Sequence, residues 1–138
     1  MSDRNDFNAK IIKEFRDNDG LVGGRFKTMR LLLLHTTGAK TGEERVIPLA
    51  TREIEGNQII IASNGGSPNH PDWFYNLKAN PEVTVELGSE TYQAKAIIAE
   101  EPKRSDLYDQ MADRYPFFNE YQARAERQIP VIRLERRT

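Results

Sequence analysis

Two short stretches carry the residue types that could do chemistry. The first is Gly38-Ala-Lys-Thr-Gly42 with Arg45 three residues on, and the second is Ser63-Asn-Gly-Gly66 at the end of an isoleucine-rich run. Lys40 and Arg45 offer cationic donors to a phosphate or carboxylate, where a charge-assisted hydrogen bond is worth about 1.5–3 kcal/mol. Small residues at the end of a strand let backbone N–H groups approach a ligand closely and form an anion- or carbonyl-binding nest. Together the two stretches suggest a cradle for a molecule flat at one end and anionic at the other. Taken singly, each also reads as an ordinary feature, a lysine-containing hairpin turn and a strand that ends in a loop. A nucleotide-triphosphate loop is excluded, because the glycine spacing before Lys40 is wrong and no helix follows.

Composition removes several other chemistries. No cysteine is present, so there is no disulfide, thiolate nucleophile, iron–sulfur cluster or thiolate zinc site. His35 and His70 do not form a spaced metal-ligand set, so redox chemistry would need a bound organic cofactor. Twenty Lys and Arg against twenty-one Asp and Glu leave a net charge of −1, which gives no global reason to bind nucleic acid. The longest apolar run, Leu31 to Leu34, is far too short to span a bilayer, and the N-terminus has no signal-like apolar region. The expectation is one cytoplasmic domain over residues 1–138.

The elements that must position these stretches are short. Phe7, Ile11 and Phe15 recur at helical spacing, so residues 1–19 are expected to hold an amphipathic helix packed on its own domain, with membrane or partner binding as the lesser alternative. Strands are expected over residues 29–36, 45–53 and 58–63, joined by turns at Gly38–Gly42 and Glu55–Asn57 into an antiparallel meander. Pro48 puts its strand at an edge or a bulge. Pro71 opens a short helix burying Trp73, Phe74 and Leu77, and residues 83–87 and 92–98 alternate as a second hairpin. Pro102 opens a helix with Leu107, Met111 and Tyr115 on one stripe, Pro116 interrupts it, and residues 129–135 form the last strand. About six antiparallel strands with peripheral helices make an α+β, mainly β barrel or half-barrel; a doubly wound parallel sheet is disfavoured because the connections are too short.

The combination Asn18-Asp-Gly-Leu-Val-Gly-Gly24, Thr36-Thr-Gly-Ala-Lys-Thr-Gly-Glu-Glu-Arg45, Pro48-Leu49, Ala62-Ser-Asn-Gly-Gly66, Pro71 to Pro81, Tyr115-Pro116 and Arg127-Gln-Ile-Pro130 resembles the deazaflavin-dependent nitroreductase family. That resemblance implies a split β-barrel of the flavin-reductase type. It also implies coenzyme F420, whose phosphate and oligoglutamate tail supply the anionic end, and hydride transfer to a quinone, an enone or a nitro compound. By the same likeness Lys40, Thr41 and Arg45 would hold the tail, and Ser63, Asn64 and Gly65 would lie along the ring system. Pro48, Ala62 and Asn76 would shape the pocket, with Arg52 a further cationic candidate, and Tyr115, Phe118 and Tyr121 would line the substrate side. Ala50 and Phe118 stand where the nitroreductase has tyrosines, which favours quinones and activated alkenes over bulky nitroimidazoles. Family members that act on lipid-soluble quinones leave room for weak peripheral membrane association.

Other readings stay open on the residues. The aromatic residues at 115, 118 and 121 also fit the buried stripe of an amphipathic helix. His35 fits a satisfied core histidine, and His70 a helix cap. Riboflavin phosphate (FMN) in place of the deazaflavin, or a non-catalytic cofactor carrier, would use the same fold.

Overall fold

The computed structural model describes residues 3–137. Strands β1 (Leu31–Thr37), β2 (Glu44–Ala50), β3 (Arg52–Ile54), β4 (Asn57–Ile61), β5 (Glu82–Leu87), β6 (Glu90–Ile98) and β7 (Val131–Arg136) form one antiparallel sheet in the order β2-β1-β5-β6-β7-β4-β3. Helices α1 (Asp3–Asp17), α2 (Asp72–Ala79), α3 (Lys103–Arg114) and α4 (Phe117–Ala125) pack around it. The sheet curls so that β2, at one edge, comes back into contact with β4 near the other. This is the half-barrel expected from the strand pattern, with seven strands rather than six.

The expected meander of the first three strands is not formed. β1 pairs with β2, and β3 pairs with β4, but β2 and β4 share no ladder. The break falls at Thr51, which divides the expected strand over residues 45–53. Thr51 is fully buried; its N–H donates to the Arg30 carbonyl (2.9 Å), and its hydroxyl lies within hydrogen-bond distance of the Ile59 carbonyl (2.9 Å) and Gln58 Oε1 (3.0 Å). Those bonds satisfy a buried polar residue at the corner where the chain leaves one edge of the sheet for the other. Pro48 lies in an edge strand opposite Leu33, where its missing N–H costs no ladder bond. The hairpin β5–β6 forms as the alternation implied, with Leu87 opposite Glu90.

Period-two alternation divides the sheet into two faces. Leu32, Leu34, Ile60, Val85, Ala94, Ile132 and Leu134 point into the barrel interior, which α2 plugs with Trp73, Phe74 and Leu77. Burying such side chains contributes about 1.5–3 kcal/mol each. Ile59, Ile61 and Val131 face outward against Leu107, Met111 and Tyr115 of the α3–α4 region and Phe118 and Ala125 of α4. Leu31 and Leu33 face α1, which covers them with Phe15, Ile11 and Ile12. The amphipathic stripe of α1 is thus directed at its own sheet, as expected. Arg16 also grips Glu86 through both oxygens (3.1 and 2.7 Å), and Glu86 in turn meets His35 Nε2 at 2.6 Å. Arg16 is the main cause holding the Glu86 carboxyl below its ordinary range. His35 is therefore paired on one side only: its buried Nδ1 has no hydrogen bond, although Glu44 Oε2 lies 3.3 Å away.

Candidate functional site

Where β2 and β4 approach each other the sheet leaves a gap, and a cavity of about 420 Å³ occupies it. One wall is Pro48, Leu49 and Ala50 of β2, and the facing wall is Ile61 of β4 with Ser63 just beyond it. α4 contributes Phe117, Phe118 and Tyr121, and the segment after α1 contributes Phe26 and Met29. A second hollow of about 210 Å³ shares Phe26, Met29, Pro48 and Ala50 and extends beneath Phe7 and Ile11 of α1. The lining is apolar and aromatic, with few polar groups, as in sites for flat organic ligands.

On the wall formed by Ser63 the chain makes a 3₁₀ turn over Asn64–Gly66, with Asn64, Gly65 and Gly66 at φ 49°, 65° and 84°. The backbone N–H groups of Ser63, Asn64 and Gly65 have no acceptor among the described residues, whereas the Gly66 N–H donates to the Ser63 carbonyl (2.9 Å). Ser63 lines the cavity and Gly65 is exposed, so these three amides are donors open to solvent or to an acceptor on a ligand. Gly66 is required sterically, since a Cβ there would lie 3.1 Å from the Tyr121 carbonyl oxygen and 3.2 Å from its Cα. The Asn64 side chain closes the loop by donating to the Asn69 carbonyl (3.0 Å). Ala62 is fully buried and donates its N–H to the Pro130 carbonyl, so it fixes the strand end from the interior.

Lys40 and Thr41 are exposed on the β1–β2 turn, and Arg45 is exposed at the start of β2. Lys40 makes no ion pair with any described residue, and Arg45 has only Glu43 at 3.4 Å, an exposed contact worth at most about 1 kcal/mol. Both cations remain available to an anion. Arg45 is three residues from Pro48 on the same strand, about 10 Å at the usual rise. The turn is held in place by Asn76 of α2, whose Oδ1 accepts from the Ala39 N–H (3.0 Å) and whose Nδ2 donates to Thr36 Oγ1 (3.3 Å). Asn76 is thus a support for the basic turn and does not line the cavity. Gly38 is needed beneath that turn, because a Cβ would stand 2.7 Å from Thr41 Oγ1.

The aromatic residues separate into two roles. Tyr121 and Phe118 line the cavity, with ring centroids 6.0 Å apart, and the Tyr121 hydroxyl has no partner among the described residues. Tyr115 does not line it: the residue is 3% exposed, and its hydroxyl accepts from the Arg30 N–H (3.0 Å) and donates to the Thr51 carbonyl (2.8 Å). Arg52 is directed away as well, donating to the Gln110 carbonyl at 2.5 Å. His70 caps no helix; it accepts from Arg127 and packs on Phe74 at 4.6 Å. Phe26 lies in an aperiodic segment that gave no signal, Met29 was expected only as the start of the first strand, and Arg127 was visible in its motif but not its role, because its partners are about sixty residues distant in the chain.

An antiparallel half-barrel with an apolar slot, acceptor-free amides and a basic hairpin is of the class of scaffolds whose lining suits a flat organic ligand with an anionic end. Residues 9–136 match the family described as F420H(2)-dependent quinone reductase, and the chain belongs to that family. The F420H(2)-dependent quinone reductase Rv1261c of Mycobacterium tuberculosis is 38% identical over 130 residues, covering 89% of this chain and 85% of that protein. A solved F420-H2 dependent reductase (FDR-A) is 39% identical with a TM-score of 0.70, covering 76% of this chain and 93% of the other. A structure described as a domain-swapped dimer covers 97% of this chain and 100% of its own, at 32% identity and a TM-score of 0.73. The protein is an oxidoreductase whose cofactor is coenzyme F420 and whose reaction passes a hydride to a quinone. The riboflavin-phosphate and carrier alternatives are set aside accordingly.

Proposed function

We propose that the slot between β2 and β4 is where coenzyme F420 and the quinone meet, with Ser63, Asn64 and Gly65 as ring donors and Lys40 and Arg45 as tail ligands. The observation that supports this most is the trio of acceptor-free amides at Ser63–Gly65 beside an apolar cavity. Those amides suit a carbonyl-rich heterocycle, and the unpaired Lys40 with the weakly paired Arg45 suits an anionic tail. The group fits the residues present.

The chemistry the coenzyme supplies when bound is donation of a hydride to the electron-poor ring of the quinone. The chain's own part is to position and to exclude water. Pro48 and Ala50 on one side and Ile61 on the other give the slot facing apolar walls, between which two flat rings would be held at reacting distance. Phe118 and Phe117 supply an apolar floor without donors. Tyr121, which lines the slot and whose hydroxyl has no partner among the described residues, holds a proton for the quinone oxygen that gains charge as the hydride arrives. Tyr115 supports the site through the core.

Ala50 and Phe118 leave the slot lined by hydrocarbon where hydroxyls would otherwise be, so an apolar quinone or an enone suits it better than a polar nitro compound. No described helix is long and apolar enough to cross a membrane. α1 places Ile11, Ile12 and Phe15 on its own sheet, which turns them away from a membrane surface.

Anaerobic mixing of the protein with reduced coenzyme F420 and a set of quinones, enones and nitro compounds tests the reading by absorbance. Oxidation of the coenzyme fastest with quinones is the expected result; no oxidation with any acceptor overturns it.

A further inference from the structure

Arg127 emerges from α4 immediately after Glu126, whose φ of 58° ends the helix. Its backbone is fixed on arrival. The Arg127 carbonyl accepts from Gln122 Nε2 (2.6 Å), while Gln122 Oε1 takes a donor from buried Arg104 (2.7 Å) and another from the Ile129 N–H (3.1 Å).

From that anchored base the guanidinium reaches across the loop after β4. Nε donates to the Ser67 carbonyl (3.0 Å), and Nη2 to the carbonyls of Ser63 (3.0 Å) and Asn69 (3.1 Å). Nη1 donates to His70 Nδ1 (2.9 Å). No carboxylate pairs with Arg127 among the described residues. Its planar fork is therefore committed to backbone oxygens and to the His70 ring of one loop, a geometry that a lysine point charge does not reproduce.

The consequence lies in the peptide planes. A trans peptide directs its C=O and N–H to opposite sides. The Ser63 carbonyl accepts from Arg127 as well as from the Gly66 N–H of its own turn, so the N–H of the same plane, that of Asn64, is turned away from the guanidinium. Arg124 holds a carbonyl two planes further along, donating to that of Gly65 at 3.1 Å. Asn64 N–H belongs to the acceptor-free trio assigned above to the coenzyme.

We propose that Arg127 is a positioning residue for the coenzyme: it gathers the carbonyls of Ser63, Ser67 and Asn69 on one side of the loop and so presents the Asn64 amide on the other. The proposal rests on the reading that Ser63–Gly65 receive coenzyme F420. It adds that the nest is set by a residue that touches neither coenzyme nor quinone.

The test measures the dissociation constant of oxidised coenzyme F420 by titration for the wild type, Lys40→Ala and Arg127→Lys, together with each melting temperature. Binding weakened tenfold or more in both variants, with Arg127→Lys still folded, supports the proposal. Wild-type affinity in Arg127→Lys alongside weakened Lys40→Ala overturns it while leaving the functional reading standing; no binding by wild type overturns both. Backbone order parameters of the unliganded wild type provide a measurement independent of any variant. Values near about 0.85 over residues 63–70 are expected, and values below about 0.6 contradict a loop held by Arg127.

Discussion

The hydroxyl of Tyr115 donates to the carbonyl of Thr51 at 2.8 Å and accepts from the Arg30 N–H at 3.0 Å, so one phenol joins the start of β1 to the corner between β2 and β3. Tyr121, six residues on, lines the slot, and its hydroxyl has no partner among the described residues. The same residue type thus has separate roles, and paired substitutions distinguish them. Tyr115→Phe should lower unfolding free energy by about 1–3 kcal/mol, the cost of orphaning buried backbone groups, with little change in turnover. Tyr121→Phe should leave stability and coenzyme affinity nearly intact while slowing quinone reduction. Denaturant melts and steady-state rates on both variants check this, and equal rates for Tyr121→Phe and wild type would remove its proton-holding role.

Lys40→Ala and Arg45→Ala should each weaken coenzyme affinity about tenfold or more, a loss of about 1.4 kcal/mol. Both side chains are exposed, so the effect should shrink as salt screens them, over a Debye length of about 10 Å at 0.1 M. Calorimetric titration at two ionic strengths provides the measurement. Loss of affinity that is insensitive to salt would indicate a distorted turn in place of a lost charge.

His70 gives the molecule a pH dependence of defined sign. Its pKa is held below the ordinary histidine value first by burial, then by the nearby charges of Arg127 and Lys78. Because a guanidinium only donates, His70 Nδ1 must accept, and the neutral ring carries its proton on Nε2. The unfolded chain protonates this histidine near pH 6.5 and the folded one only at lower pH, so the contribution to stability is present above about 6.5 and falls as pH drops below it. His70→Gln should flatten that part of the stability profile; an unchanged profile would assign the acid sensitivity elsewhere.

Gly66→Ala should be costly. The residue sits at φ 84°, and the added methyl would press on the Tyr121 backbone at 3.1 Å. A left-handed alanine costs about 1–2 kcal/mol before any clash. Lower thermal stability together with weaker coenzyme binding is expected, and a variant with wild-type values in both assays would show that the turn is not held against α4.

Much of the fold was readable along the chain because the relevant signals are local. Alternation at Val83, Val85 and Leu87 established β5, and proline with an apolar stripe located α2 and α3. The pairing of β4 with β7 in place of β2 was not readable. It depends on Thr51 being buried and on Ile59–Ile61 meeting Val131–Arg133, some seventy residues distant. The basic turn and Ser63–Gly66 were visible as donor-rich residues, and the structure adds what holds them, Asn76 for one and Arg127 for the other. Tyr115 could not be separated from Tyr121 by spacing alone, because both suit a helical stripe and only burial of the hydroxyl tells them apart.

The proposed function requires one coenzyme to bridge the basic hairpin and the amide nest. Titrating isotope-labelled protein with oxidised coenzyme F420 and following its backbone amide signals tests this directly. Saturable shifts at Lys40–Arg45 and at Ser63–Gly66 with a common dissociation constant are predicted. Shifts confined to other surfaces, with both stretches unmoved at saturation, would contradict it.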